Sequence, residues 1–301
     1  MLLNIEHHTR YAYSADVNYT IQELRLTPQH GLGQHVRHWD IKVNGELQPS
    51  QDAYGNMTHT LVVDAPHSEL LIVAAGQVET GLDAVSQHMA LPLPIYLRDT
   101  PLTQYSADML AFAQPYLQPQ RQSAVLEDMM HALLARVQYI KGATQVTTSA
   151  AEAFALGQGV CQDHAHVFIA CCRAIALPAR YVSGYLFTVD GSLMQTHAWA
   201  DVFVAGAGWQ SFDVSNGCRA GETHVRLATG LDYRSASPIS GMRSGGGIEG
   251  MASSVIVNRA ASMQEPLKKV NPMQLLELAQ LNRAARTEAA QERQAQYAQQ
   301  Q

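Results

Sequence analysis

The run Gly157-Gln158-Gly159-Val160-Cys161-Gln162-Asp163-His164-Ala165-His166 sets a cysteine where a glycine-bearing loop enters a helix. Downstream, Val167, Phe168, Cys171, Cys172 and Ile175 recur at three- and four-residue spacing, which predicts a helix over 161–175 stopped by Pro178. A helix N-terminus leaves N–H groups unpaired and carries partial positive charge, so it favours thiolate, the nucleophilic form of cysteine. The two glycines let the backbone turn sharply and let a substrate approach closely. Most cysteines are buried small hydrophobes, so this segment alone leaves Cys161 open between packing and chemistry.

Working outward, Leu126, Met129, Met130, Leu133, Leu134 and Val137 predict a helix over 123–138, and a shorter one is expected over 150–156. Strand patterns follow at 179–187, 197–204, 209–213 and 253–257. Helices first and antiparallel strands after them indicate an α+β domain. The first eighty residues read as an all-β sheet or sandwich, with strands expected at 2–6, 21–26, 39–43, 59–63 and 70–74. Asn44-Gly45 is read as a hairpin turn. Prolines 92, 94, 101, 115 and 119 mark a junction. The expected division is a β-rich region at 1–85, a core at 95–258 and a helical or partly disordered tail at 259–301. In that tail Leu275, Leu276, Leu278, Ala279 and Leu281 suggest one amphipathic helix.

Composition narrows the function. The 301 residues are 47% hydrophobic and 15% charged, with a net charge of −6. That excludes wholesale disorder and argues against a nucleic-acid-binding face. No apolar run approaches the roughly 18–20 residues of a membrane span, so no membrane partner is expected. The first residues carry no basic segment followed by an apolar stretch, which points to a cytoplasmic protein. Four cysteines in the second half, two of them adjacent, argue against a disulfide framework and for a reducing compartment.

Two further segments bear on Cys161. Thr196-His197-Ala198-Trp199-Ala200-Asp201-Val202-Phe203-Val204 alternates like a strand, and Ala205-Gly206-Ala207 leads to Gly208-Trp209-Gln210-Ser211-Phe212-Asp213. A three-residue loop would pair Val204 with Gly208 and Trp199 with Asp213, placing His197 and Asp213 diagonally on one face, roughly 7–8 Å apart along the backbone. An aspartate at that spacing can hold an imidazole tautomer and leave the other nitrogen for a thiol. The competing reading is zinc on Cys161, His164 and His166; on a helix 166 points away from 164, and no second cluster completes four ligands, so no metal or cofactor is expected. Cys171 and Cys172 read as core, Cys218 as exposed, His7 and His8 as solvated strand residues, and Gly245-Gly246-Gly247 as a turn. Trp199 is a candidate shield for His197. Asp163 complements the helix dipole, and Gln162 is within reach of an acyl oxygen.

The segments Gly159-Val160-Cys161-Gln162-Asp163, Leu177-Pro178-Ala179-Arg180-Tyr181-Val182-Ser183-Gly184-Tyr185, His197-Ala198-Trp199 and Phe212-Asp213 resemble the bacterial transglutaminase-like family, of the transglutaminase and papain-like cysteine protease superfamily. Residues 3–74 resemble the β domain that precedes this core, and 230–233 with 245–247 resemble its end, so the likeness covers about 1–258. His164 stands where these proteins often carry an aromatic residue. The resemblance implies a papain-like core with Cys161 as nucleophile, His197 as base and Asp213 as orienting acid. The activity it implies is acyl transfer through a thioester on a peptide or protein substrate carrying an amide. Absence of a calcium-loop pattern or pro-segment favours hydrolysis. The alternatives are an amine-accepting transglutaminase and a binding protein that keeps the fold without turnover.

Overall fold

Strand β1 (Leu2–Leu24) runs unbroken for 23 residues, joining the two short strands expected at its ends. The computed structural model describes residues 1–82, 90–189 and 196–260, so the tail beyond 260 lies outside the described residues. After β1 come β2 (Gln34–Val43), β3 (Glu46–Gln51), β4 (Met57–Val63) and β5 (His67–Thr80). Along one side of β1, β4 and β5 follow one another: Leu24 pairs with His59, Thr20 with Val63, then Val17 with His67 and Leu2 with Glu79. β2 lines β5 and β3 lines β4, so β2 and β3 do not pair and Asn44-Gly45 is no hairpin. It is a bend. The Asn44 side chain accepts the Leu71 N–H at 2.8 Å and donates to the Glu69 carbonyl at 2.9 Å, while a Cβ on Gly45 would lie 2.7 Å from Leu61. These side-chain bonds to the next strand hold the dipeptide where the sheet folds over its own core of Val17, Leu24, Leu61, Leu70 and Ile72.

The second half opens with α1 (Ala107–Ala113), α2 (Gln122–Arg136), the two-residue β6 (Gln138–Tyr139), α3 (Ala150–Leu156), β7 (Gln158–Gly159) and α4 (Cys161–Ala174). Ser149 and Glu152 form a reciprocal cap at the start of α3. α4 is buried on all sides from Asp163 to Arg173, so it is the central helix rather than an amphipathic one. It packs against α1, α2 and α3 on one side and a sheet on the other. That sheet contains β8 (Ala179–Leu186), β9 (Thr196–Val204), β10 (Gly208–Asp213), the two-residue β11 (Cys218–Arg219) and β12 (His224–Gly230), in the order β11-β10-β9-β8-β12. The expected hairpin register holds, with Val204 opposite Gly208 and Ala200 opposite Phe212.

After the short helix α5 (Tyr233–Ala236), the chain returns to the first sheet as β13 (Ile239–Gly245) and β14 (Glu249–Arg259), both antiparallel to β1. The strand expected at 253–257 therefore exists but completes the N-terminal sheet. Gly245, Gly246 and Gly247 all have positive φ, from +60° to +91°, and make the bend between β13 and β14. The resulting architecture is α+β: an all-β sheet against a core of helices packed on a five-stranded antiparallel sheet.

The two sheets meet through Leu3, Ile5, Val78, Val255 and Val257 on one side and Tyr185, Val225 and Leu227 on the other. β12 is an edge strand, and side-chain amides from the N-terminal region occupy its free backbone. Gln34 accepts the Arg226 N–H at 2.8 Å and donates to the Arg226 carbonyl at 2.9 Å. Asn56 does the same to Thr229, at 2.8 Å in both directions. Such bonds satisfy an edge that would otherwise offer itself to another strand. No helix among the described residues is long and apolar enough to cross a membrane.

Candidate active site

Cys161 is the first residue of α4 and is partly exposed, as the loop-to-helix reading requires. Asp163 builds this turn: its Oδ2 accepts the Val160 N–H at 2.8 Å and the Thr144 hydroxyl at 2.6 Å. A Cβ on Gly159 would sit 2.5 Å from the Asp163 Cβ, so the loop closes on the helix only with glycine there. Gln162 does not face an acyl site; its Nε2 donates to the Val146 carbonyl at 3.0 Å.

Strand pairing brings His197 and Asp213 together. His197 Nε2 lies 2.7 Å from Asp213 Oδ2, and the Cys161 side chain at the head of α4 is near enough to act on the ring. Burial opposes protonation of His197, but Asp213 and Cys161 outweigh it and raise its pKa to about 10. Burial likewise disfavours the Asp213 charge, yet donors from His197 and His224 hold the carboxyl well below its usual range. Trp199 lies two residues along β9, buried, with its ring 6.2 Å from that of His197.

Two partners of Asp213 were not foreseen. Asn216 donates from Nδ2 to Oδ2 at 2.6 Å and from its backbone N–H to Oδ1 at 3.3 Å. The signal for it is present: Asp213-Val214-Ser215-Asn216-Gly217 is a turn with an aspartate that caps it. His224, at the start of β12, places Nε2 3.0 Å from Asp213 Oδ2. Its only local signal is a histidine opening a strand, and strand pairing across the fold is what makes it a neighbour. Beyond His224 a cleft of about 280 Å³ opens between the two sheets, walled in part by Gln34, Gly81, Arg180, Asp201 and His224.

The C-x-x-H-x-H cluster does not converge. His164 Nε2 donates to the Val137 carbonyl at 2.7 Å, and His166 Nε2 accepts the Tyr233 N–H at 3.0 Å. Burial lowers the pKa of His166 to about 4, which keeps it a neutral acceptor. Among the described residues, the set of His, Cys, Asp and Glu that gathers its ligand-type atoms is His197, Asp213 and His224, within 4.8 Å of one another. Those atoms already satisfy each other by hydrogen bonds. Cys171 and Cys172 are fully buried, and burial pushes both thiols up; Cys218 is exposed. His7 corrects the solvated reading: it is buried, bonds the Tyr185 hydroxyl at 2.9 Å, and burial lowers its pKa to about 4. Its neighbour His8 pairs with Glu6.

The comparisons agree with this architecture. Residues 3–79 match the bacterial transglutaminase-like N-terminal region and 111–214 the transglutaminase-like superfamily core. An uncharacterised protein of Mycobacterium leprae is 27% identical over 285 residues, covering 86% of this chain and 99% of its own. An uncharacterised protein of Mycobacterium tuberculosis is 27% identical over 270 residues, covering 79% and 86%. A crystal structure of a candidate cysteine protease from Cytophaga hutchinsonii superposes with a TM-score of 0.68 at 22% identity, over 90% of this chain and 94% of that one. With both matched regions in sequence order and the fold shared, the chain belongs to the bacterial transglutaminase-like family.

Proposed function

We propose that this chain is a cysteine-dependent acyl-transfer enzyme that hydrolyses a peptide or carboxamide bond, and that Cys161, His197 and Asp213 are its catalytic triad. The observation that carries this reading is His197 bonded to the Asp213 carboxylate and near enough to Cys161, at the head of α4, for both to raise its pKa. The thiolate of Cys161 attacks the amide carbonyl, and the oxyanion is held in part by the Cys161 backbone N–H. The C–N bond breaks as imidazolium His197 gives its proton to the leaving amine, which leaves a thioester. His197 then takes a proton from water, the water oxygen attacks the thioester, and the C–S bond breaks to release the acid. Asp213 holds the ring in place and balances the imidazolium charge. The chemistry needs a free thiol, in keeping with a reducing compartment such as the cytoplasm.

Water is the acceptor in this reading, since cross-linking needs a groove that holds an amine beside the thioester. The test offers glutaminyl and peptide substrates with excess primary amine and follows products by mass. Hydrolytic products are expected to dominate at millimolar amine and to vanish with Cys161→Ala while the melting temperature stays near wild type. Dominant amine adducts would instead establish transamidation, and turnover surviving Cys161→Ala would remove the nucleophile.

A further inference from the structure

Asp213 carries more donors than a triad requires. Its Oδ2 receives His197, Asn216 and His224, and the last comes from a strand outside the matched core region. The tautomer of His224 follows from the bonds of its other nitrogen. The Gly221 N–H donates to Nδ1 at 3.2 Å, so Nδ1 is bare and the proton sits on Nε2, aimed at Asp213. His224 is buried and its ring meets Trp199 edge-on at 5.2 Å, which leaves it one orientation.

The N-terminal sheet holds this strand on both sides of the histidine. Thr80, the last residue of β5, donates its hydroxyl to the carbonyl of Glu222, two residues before His224. Gln34, the first residue of β2, takes both backbone groups of Arg226, two residues after it. Paired β2 and β5 ends, Gln34 opposite Thr80, therefore grip β12 at the point where it meets the site.

We infer that His224 is a positioning residue for Asp213, and that through it the N-terminal sheet sets the geometry of the Asp213–His197 pair. The inference rests on the acyl-transfer reading for its catalytic consequence, but the geometry can be tested without a substrate. A donor on Asp213 Oδ2 withdraws electron density that would otherwise strengthen the bond to His197, and it stops the carboxylate from rotating away. Other titratable groups facing the cluster are Cys161 and His164 from α4, Tyr139 from β6 and Cys218 from β11, and substitutions at 224 leave all four in place.

The experiment compares wild type with His224→Phe and His224→Gln. Glutamine can place an amide N–H toward Asp213 and a carbonyl toward Gly221, whereas phenylalanine fills the space with no donor. Two readouts are taken: the titration midpoint of the His197 ring by NMR, assigned with His197→Asn, and the rate of Cys161 alkylation by iodoacetamide against pH. In His224→Phe the His197 midpoint is expected to rise by about half a unit or more, with the alkaline edge of the alkylation profile moving alongside it. In His224→Gln both return toward wild type. Gln34→Ala shifts them in the same direction as phenylalanine, by less. With a turned-over substrate, His224→Phe lowers kcat roughly tenfold and leaves KM unchanged. Should phenylalanine fail to fold, glutamine and Gln34→Ala carry the comparison. An unmoved midpoint in folded His224→Phe, or in Gln34→Ala where phenylalanine does not fold, or equal shifts with phenylalanine and glutamine, would overturn the inference. Shifts in both readouts without turnover on any amide would instead sink the acyl-transfer reading and leave the positioning intact.

Discussion

Asp201, in β9, and Asp213, at the end of β10, lie on one hairpin, and neither exposes any surface to solvent. Asp201 faces guanidiniums: Arg226 reaches it with both terminal nitrogens, at 2.7 and 3.0 Å, and Arg180 with Nε at 2.9 Å. Asp213 faces two imidazoles and an amide. Arginine does not give up its proton in proteins, whereas histidine does so near neutral pH. The first carboxylate is therefore locked into architecture, tying β8, β9 and β12 together. The second is placed against groups whose protons can move. Burial and negative charge are the same in both; the partners' chemistry separates a carboxylate locked between guanidiniums from one that, in the acyl-transfer reading, orients a base.

The exchange of roles can be broken by the same conservative change at each position. Asp213→Asn should lower turnover per folded molecule by about 10³–10⁴, because the ring loses its fixed tautomer and its counter-charge. Asp201→Asn should leave turnover per folded molecule near wild type but destabilise the protein by about 3–5 kcal/mol, since two buried guanidiniums lose their shared partner. Denaturant melts together with turnover normalised to alkylatable Cys161 give both quantities for both variants. Equal losses of turnover would mean that the two carboxylates form one catalytic network.

Acidity sharpens the comparison further. His197 in the folded protein titrates at about 10 rather than at its ordinary 6.5. A basic group raised in this way gives stabilisation that is complete below the lower value and is lost as pH climbs through the upper one. The alkaline limb of turnover should therefore have its midpoint near pH 10, where the proton donor for the leaving amine disappears. Asp213→Asn should pull that limb down toward neutrality, because burial then acts without the opposing charge. Asp201→Asn should leave it in place. A limb that stays fixed in Asp213→Asn would show that His197 owes its raised value to Cys161 instead.

Much of this site was legible before any fold was known, for reasons that are local. The place of Cys161 at a helix start follows from glycines and spacing, and the His197–Asp213 contact from a three-residue loop that fixes hairpin register. The same logic failed at Asn44-Gly45, where a turn-forming dipeptide bends a sheet instead of reversing a strand. What decided it was Asn44 bonding to β5, a contact 27 residues away to Leu71. His224 and the return of β13 and β14 to the first sheet are non-local in the same sense. Sequence periodicity assigns a residue to a face, and only the strand order says what that face meets.

Asp163 supplies a third buried carboxylate and the smallest expected effect. Its hydrogen-bonding partners are the neutral Val160 N–H and Thr144 hydroxyl rather than a cation, so burial wins and its pKa is raised above the ordinary carboxylate value. A carboxyl raised on folding binds its proton more tightly in the native state, so it costs stability as pH rises, opposite in sign to Asp201 and Asp213. Asp163→Asn keeps an oxygen that can accept both donors and removes the charge. The variant should match wild type at acid pH, then become the more stable protein as pH passes the raised value, by no more than about 1 kcal/mol, the usual scale of a single helix cap. Urea melts at a series of pH values measure this difference directly. Cys161 remains at the head of α4 in the variant, so alkylation of its thiol should stay within about threefold of wild type, well short of the tenfold that 1.4 kcal/mol would bring. If asparagine instead lost stability as pH rose, the Asp163 charge would be favoured by the α4 dipole over its own desolvation, and the carboxylate would join Asp201 among the structural ones.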